Sequence, residues 1–227
     1  QDTARPRSGF RRAAVKLPPR FWFNPNRQET PFRSLEQLAK MILLFSVLLP
    51  ASAMAREKER GTVEQLLVSP LTPAQIMLSK VVPMTCIIVA CTAASMAIVV
   101  YGVLDVPLRG SIVLFLALSA LFSLSASGIG LLIAAISRNL AQVGLLSILV
   151  MPPMILFSGT TTPPESMPTF LLPLMYASPM YHYMNITYGI LLKGNDLALL
   201  WDSTLALAAI GGIVFSLGMW RFRRQFA

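Results

Sequence analysis

Long stretches without any charged residue dominate the hydrophobic pattern of this sequence. About 20 consecutive apolar residues are needed for a helix to cross the hydrocarbon core of a bilayer. Most of the uncharged stretches approach or exceed that length, so the pattern predicts an all-α integral membrane protein. The stretches are 41–55, 81–104, 110–137, 139–164, 166–192 and 203–220.

The stretch 166–192 differs from the others because proline recurs within it and just before it, at 163, 164, 168, 173 and 179. Proline lacks a backbone donor and clashes with the preceding turn, so a lipid-exposed span here would be badly broken. We therefore predict that 158–195 forms a re-entrant helical hairpin at the outer face. The five predicted spans are about 38–55, 81–104, 111–136, 139–157 and 200–220.

The distribution of positive charge supports five spans and sets their orientation. One side of the membrane would receive eight basic residues, whereas the short loops on the other side carry only Arg109 and Lys193. Positive residues favour the cytoplasmic side, and a sixth span at 166–192 would place the C-terminal basic run outside. The residues predicted to be cytoplasmic are Arg56, Lys58, Arg60, Lys80, Arg138, Arg221, Arg223 and Arg224.

Between the first two spans, a run of five charged residues, 56–60, precedes an amphipathic segment. Its apolar positions have the i, i+3, i+4 spacing of one helix face, and they are Val63, Leu66 and Leu67. Thr72 and Gln75 then form a capping box with Pro73 at the first helical position, so a new helix begins there. The spacing leaves two interpretations open, a solvated elbow between spans or a surface that a soluble partner binds.

Overall composition fits a membrane protein, since 55% of the residues are hydrophobic and 13% are charged. The net charge of +9 arises partly from the N-terminal segment 1–36, which is basic and rich in proline but carries no nucleic-acid-binding motif. No nucleic-acid partner is therefore expected, and 37–227 is predicted to form the transmembrane domain. Cys86 and Cys91 are interpreted as small buried hydrophobic residues of one helix.

The segment 57–80, "EKERGTVEQLLVSPLTPAQIMLSK", resembles the cytoplasmic segment of type-2 ATP-binding-cassette exporter permeases. Further segments match that family in the same order. They are "RFWFNPN" (20–26), "DVPLRGS" (105–111), "SGTTTPPESMP" (158–168), "YGILLKG" (188–194) and "WRFRRQF" (220–226). The family has six spans, the first followed by a large external domain. The resemblance implies that 1–36 contains the end of that domain and that the five spans here are the remaining ones.

The resemblance also implies a mechanism, in which 57–68 is a coupling helix that binds a separate ATP-binding subunit beneath a dimer of permeases. The second permease would be another copy or a paralogue, in the inner membrane of a bacterial cell. ATP and magnesium would bind the partner subunit, so no cofactor and no ATPase activity are expected in this chain. The coupling residues implied are Glu57, Glu59, Arg60, Gly61, Thr62, Glu64, Gln65, Leu66 and Leu67.

Two other functions are alternatives to export. A proton-driven transporter is disfavoured because the only Asp or Glu inside the five spans is Asp202, at the third position of the last one. A non-transporting membrane scaffold stays open, because a ladder of small residues that supports tight helix packing suits it equally well. The ladder consists of Ser119, Ser123, Ser127 and Gly130. Hydroxyl side chains supply most of the polarity within the spans and suit an amphipathic or hydrophobic cargo, and they include Thr85, Thr92, Ser95 and Ser125.

Overall fold

A computed structural model describes residues 30–61, 72–104, 106, 109–160 and 164–225 of the chain. Across these residues the regular structure is entirely helical. The α-helices are α1 (Thr30–Glu59), α2 (Pro73–Ser95), α3 (Ile112–Ile136), α4 (Leu140–Leu156), α5 (Leu172–Tyr176), α6 (Pro179–Leu191) and α7 (Trp201–Gln225). A π-helix, Met96–Val103, continues α2, and two 3₁₀ turns lie at Pro164–Ser166 and Leu197–Leu199.

Local capping explains where three of these helices begin. The predicted capping box is confirmed, since Thr72 Oγ1 accepts from the Gln75 amide and Gln75 Oε1 accepts from the Thr72 amide at 2.8 Å. Ser111 accepts from the amide of Leu114 at 3.3 Å, and so begins α3. Asn139 does the same for α4, at 2.9 Å from the Gln142 amide. Each cap satisfies one of the backbone donors that a helix start leaves unpaired.

Four of the helical stretches are long and apolar enough to cross a membrane: Thr30–Glu59, Ala74–Val103, Ile112–Ile136 and Trp201–Arg221. The helix α4 has 17 residues and is apolar but shorter. At 1.5 Å per residue it reaches about 25 Å, the lower limit for a span. The span predicted at 139–157 therefore stays a prediction.

The first two helices extend beyond the spans predicted from charge-free stretches. The first starts at Thr30 rather than near 38 and continues through the charged residues to Glu59. The second starts at Pro73, which places Lys80 inside it rather than before it. A charge-free window marks only the apolar part of a helix, because backbone hydrogen bonding continues wherever the charged side chains find water or partners.

The helix α3 lies at the centre of the bundle and contacts α1, α2, α6 and α7. Both α1 and α3 bury a long row of residues against other helices. By contrast, α2 and α7 expose most of their apolar surface. Cys86 and Cys91 lie on that exposed surface of α2, so the interpretation that they are buried is wrong. Apolar side chains on the outside of a bundle are what helices surrounded by lipid require.

The segment that follows α4 contains two short helices, of 5 and 13 residues, separated at Ala177 and Ser178. Pro173 and Pro179 stand in their first turns, where the missing proline donor costs nothing. A 13-residue helix is only about 20 Å long and cannot cross a bilayer. The prediction that 166–192 contains no continuous span is therefore confirmed.

The helix α6 belongs to the hairpin predicted at the outer face, and it packs into the bundle against α1, α3 and α7. Tyr183 is fully buried, and its ring stacks on Phe122 with centroids 4.0 Å apart and planes 2° apart. Its hydroxyl lies 2.8 Å from Ser119 Oγ. Buried residues run along the whole length of α6, so this helix has a continuous face that packs against other helices. The aromatic residues of the segment alone do not reveal that face.

Candidate functional site

The last turn of α1 makes charged contacts with three other helices, and we call this set of contacts the α1 junction. It consists of the side chains of Glu57, Lys58 and Glu59 with their partners. Glu57 Oε1 lies 2.6 Å from Lys80 Nζ, which joins the end of α1 to the first turns of α2. Both side chains are only partly exposed, so solvent screens this ion pair less than it would at an open surface.

The second contact joins Lys58 to the C-terminal end of α3. Its Nζ donates to the carbonyl oxygens of Ala134 at 2.6 Å, Ala135 at 3.2 Å and Ser137 at 3.4 Å. The last carbonyls of a helix have no amide partner within it and carry its partial negative charge. The Lys58 ammonium group therefore supplies donors to these unpaired carbonyls and offsets the partial negative charge of the helix end.

The third contact joins Glu59 to the N-terminal end of α4, where its Oε1 accepts from the Leu140 amide at 2.7 Å. Leu140 is the first residue of α4, so this amide is one of the donors left free by helix geometry. A carboxylate is favoured there by the positive end of the helix dipole. Lys58 thus contacts the negative C-terminal end of α3, and its neighbour Glu59 contacts the positive N-terminal end of α4.

The turn between α3 and α4 is itself closed by side chains. Ser137 Oγ donates to the carbonyl of Ile133 at 2.7 Å, and Gln142 Oε1 accepts from the Arg138 amide at 2.8 Å. Together with the Asn139 cap, these bonds leave the turn little freedom to change shape. The α1 junction therefore contacts a rigid connection rather than a loose loop.

The chain leaves α1 through Arg60 and Gly61, both of which are exposed. Gly61 has a φ of +68°, and its amide donates to the carbonyl of Lys58 at 3.1 Å. A Cβ at this position would meet nothing within 4 Å, so glycine is needed for the backbone conformation and not for space. This open surface leaves room for the contact with an ATP-binding subunit that the resemblance implies.

The structure separates the predicted coupling residues into three groups. Glu57 and Glu59 contact their own chain, so the expected start of a separate helix at residue 57 is wrong: α1 continues to Glu59 because its last turn is held by these contacts. Arg60 and Gly61 face solvent. Thr62, Glu64, Gln65, Leu66 and Leu67 lie outside the described residues, so binding of an ATPase there stays a prediction.

Sequence reasoning missed Lys58, although it belongs to the same charged run. The only available signal was its place in the last turn of a helix, where lysine often meets carbonyl groups. Its partners lie 76 to 79 residues further along the chain. Nothing local in the sequence identifies them.

The ladder of small residues on α3 lies where helices meet. Ser123 Oγ accepts from Ser46 Oγ at 2.8 Å, and Ser127 Oγ donates to the backbone carbonyl of Ser46 at 3.2 Å, so α1 and α3 are joined inside the bundle. A Cβ on Gly130 would come within 2.4 Å of the Val47 carbonyl oxygen. Glycine is therefore required for the close approach of these two helices.

An apolar groove of about 510 Å³ lies between α1 and α2. Met41, Phe45 and Ile88 form much of its wall, and Gln37, Thr92 and Ser95 supply most of its polar groups. Of the hydroxyl residues singled out in the sequence, Thr92 and Ser95 line this groove. Thr85 instead lies 3.5 Å from Ser123 Oγ, and Ser125 lies between α3 and α7. The volume falls in the range of small-molecule sites, which are mostly apolar with few polar groups.

Metal binding has no support in the part of the chain that the structure describes. No group of three or more His, Cys, Asp or Glu side chains there could hold a metal ion. His182, the single histidine of the sequence, has its Nε2 2.8 Å from the carbonyl of Tyr176 and stands alone at the start of α6. The site is therefore a set of helix contacts and a groove.

These features define a multi-pass membrane protein whose helix ends meet around a short connecting segment. The sequence model of the ABC-2 type transporter family matches residues 21–192. The chain belongs to the ABC-2 type transporter family.

Curated relatives agree with this assignment. The chain is 38% identical to the inner membrane transport permease YhhJ of Escherichia coli (strain K12), over 92% of this chain and 56% of that protein. It is 36% identical to the probable multidrug ABC transporter permease YbhR of the same organism, over 91% and 56%. A weaker similarity, 24% over 79% of this chain, joins it to ABC transporter G family member 20 of Dictyostelium discoideum. The chain spans about half the length of the curated relatives it matches first.

Proposed function

We propose that this chain is part of the transmembrane permease subunit of an ATP-binding-cassette exporter, which moves its substrate outward. The family match over 21–192 carries this proposal. The names of the relatives, which include a transport permease and a probable multidrug permease, support a role in transport. The same names and the long apolar helices support a location in the inner membrane of a bacterial cell.

The energy for transport would come from a separate subunit that binds ATP and magnesium. This chain has no G-x-x-x-x-G-K-[ST] phosphate-binding loop in its sequence. The segment 62–71 would contact that subunit, together with the exposed Arg60 and Gly61. A second permease, either another copy or a paralogue, would complete the transporter.

The exported molecule would be hydrophobic or amphipathic. The groove between α1 and α2 supports this substrate class, because its wall is apolar and its few polar groups are uncharged. A strongly charged substrate would lose its hydration there without gaining an ionic partner. Some of its lining residues, among them Phe45 and Ile87, are exposed, so the groove is open to the outside of the bundle.

Reconstitution of the full-length permease with its ATP-binding subunit tests this function. Proteoliposomes should hydrolyse ATP faster when a hydrophobic dye is present, and the dye should accumulate only with ATP and magnesium. A partner subunit with its phosphate-loop lysine replaced by alanine should bind the permease but drive no accumulation. Stable binding of the ATPase without any dye-stimulated hydrolysis or accumulation, across a panel of hydrophobic substrates, would instead favour the non-transporting scaffold.

A further inference from the structure

We propose that Lys58 and Glu59 are positioning residues that make the ends of α1, α3 and α4 move together when the segment 62–71 is displaced. This inference rests on the proposed function, since it concerns how movement at that segment reaches the spans. Lys58 contributes the bond to the end of α3, and Glu59 contributes the bond to the start of α4.

The α1 junction differs from an unpartnered charged run, because Lys58 is half-buried and the exposed Glu59 also has a partner in the chain. Two consecutive side chains contact two helix ends of opposite polarity across a turn that is itself closed. Charge-assisted hydrogen bonds of this kind are roughly twice as strong as neutral ones. An exposed run of charges has no reason to match the polarity of both helix ends.

The connectivity explains why these contacts bear on transport. The segment 62–71 follows α1 after Arg60 and Gly61, and it is continuous with α2 at the Thr72 cap. The pair between Glu57 and Lys80 joins those two helices to each other. A displacement of the segment therefore reaches α1 and α2 through the chain itself, and the contacts of Lys58 and Glu59 transmit it to α3 and α4 at this end.

Loss of the junction should leave the bundle folded, because α1 and α3 are also held together inside the bundle. The bond between Ser46 and Ser123 and the close approach of Gly130 to Val47 do not involve the junction. Lys58 and Glu59 are therefore expected to affect the transmission of movement more than the assembly of the helices.

The test uses the full-length permease in complex with its ATP-binding subunit. We expect Lys58→Met to keep ATPase binding and basal hydrolysis, while transport per ATP hydrolysed falls about tenfold, the order of effect that one charged hydrogen bond supplies. Lys58→Arg should restore most of it, since guanidinium also donates to carbonyl groups. Arg56→Met is the matched control, because among the described residues Arg56 Nε donates to the carbonyl of Ser52 in its own helix, at 3.4 Å, and not to α3 or α4.

The outcomes separate this proposal from the proposed function. Normal transport per ATP by Lys58→Met would overturn the positioning role, and so would lost ATPase binding, because Lys58 would then belong to the partner interface. Absence of ATP-driven transport by the unmodified complex would instead contradict the proposed function.

A second measurement covers the case in which Lys58→Met does not fold. Spin labels at the exposed positions Arg56 and Arg138 report on the two sides of the junction. Their distance in the otherwise unmodified complex should stay the same with and without trapped nucleotide. A shift larger than the width of the distance distribution would overturn the proposal.

Discussion

The hydroxyl of Tyr183 lies 2.8 Å from Ser119 Oγ at the centre of the helix bundle, where α6 packs against α3. Ser119 Oγ also donates to the carbonyl of Phe115 at 2.8 Å, and the Tyr183 ring stacks on Phe122. One aromatic side chain of the outer hairpin is thus anchored to the central helix both by packing and by a hydrogen bond.

Two substitutions of Tyr183 should separate the contribution of its hydrogen bond to stability from that of its ring packing. Tyr183→Phe loses only the hydroxyl contact and should lower the free energy of unfolding by about 1 kcal/mol. Tyr183→Ala also leaves a cavity and should cost about 3–5 kcal/mol. Unfolding in mixed detergent, followed by circular dichroism, measures both. The exposed Tyr176→Ala is the control, and equal effects of Tyr183→Ala and Tyr176→Ala would contradict the buried position of Tyr183.

The contact between α1 and α3 should be sensitive to a single methyl group at Gly130. An added Cβ would meet the Val47 carbonyl oxygen at 2.4 Å, and backbone cannot move aside as a flexible side chain can. We expect Gly130→Ala to lower the thermal unfolding midpoint in detergent by several degrees. Gly144→Ala is the matched control in another helix, since its Cβ meets nothing within 4 Å. That change should be neutral or stabilising, by up to about 1 kcal/mol.

Substitutions in the predicted coupling segment should disrupt ATPase binding without affecting membrane insertion. Glu64→Lys reverses a charge expected to be desolvated in the complex, and such losses cost about 2–5 kcal/mol of binding. Gly61→Trp adds a large side chain at an exposed position where φ is positive. Gly61→Ala has the same backbone strain but adds only a methyl group. Pull-down of the ATP-binding subunit should fail for Glu64→Lys and Gly61→Trp but succeed for Gly61→Ala and for Arg223→Glu. Full binding by all four variants would favour the solvated elbow.

Crossing of the membrane by α4 can be tested directly, because this helix is the shortest of the five proposed spans. Single cysteines at Arg138 and Glu165 flank it and belong to opposite sides in the five-span arrangement. In a background lacking Cys86 and Cys91, a membrane-impermeant maleimide should label position 165 in intact cells. Position 138 should react only after permeabilisation. Labelling of both positions in intact cells would exclude a crossing by α4.

The two native cysteines allow a test of the groove between α1 and α2. Both are exposed on α2, but Cys91 lines the groove and Cys86 does not. A transported hydrophobic dye should therefore slow the reaction of Cys91 with a lipid-soluble maleimide while the reaction of Cys86 is unchanged. Mass spectrometry of each alkylated peptide gives the two rates. Equal slowing at both positions would indicate a general effect of the dye on the membrane.

The sequence by itself determined the helical class and several helix boundaries. Charge-free stretches identified the apolar parts of α1, α2, α3 and α7, and the cap at Thr72 fixed the start of α2. The prolines of 163–179 excluded a continuous span in the outer segment. These features are local, because hydrogen bonding within a helix and the loss of a donor at proline depend on residues a few positions apart.

Only the tertiary structure decided which charged and aromatic side chains have partners within the chain. Lys58 looked like one member of a solvated run, yet its acceptors are carbonyls of α3. Glu59 was assigned to a partner surface, yet it accepts from the first amide of α4. Tyr183 lies in the hairpin predicted at the outer face, yet it is fully buried. Each contact joins residues 64 to 81 positions apart, and the physical reason is that helix packing, not spacing along the chain, brings such residues together.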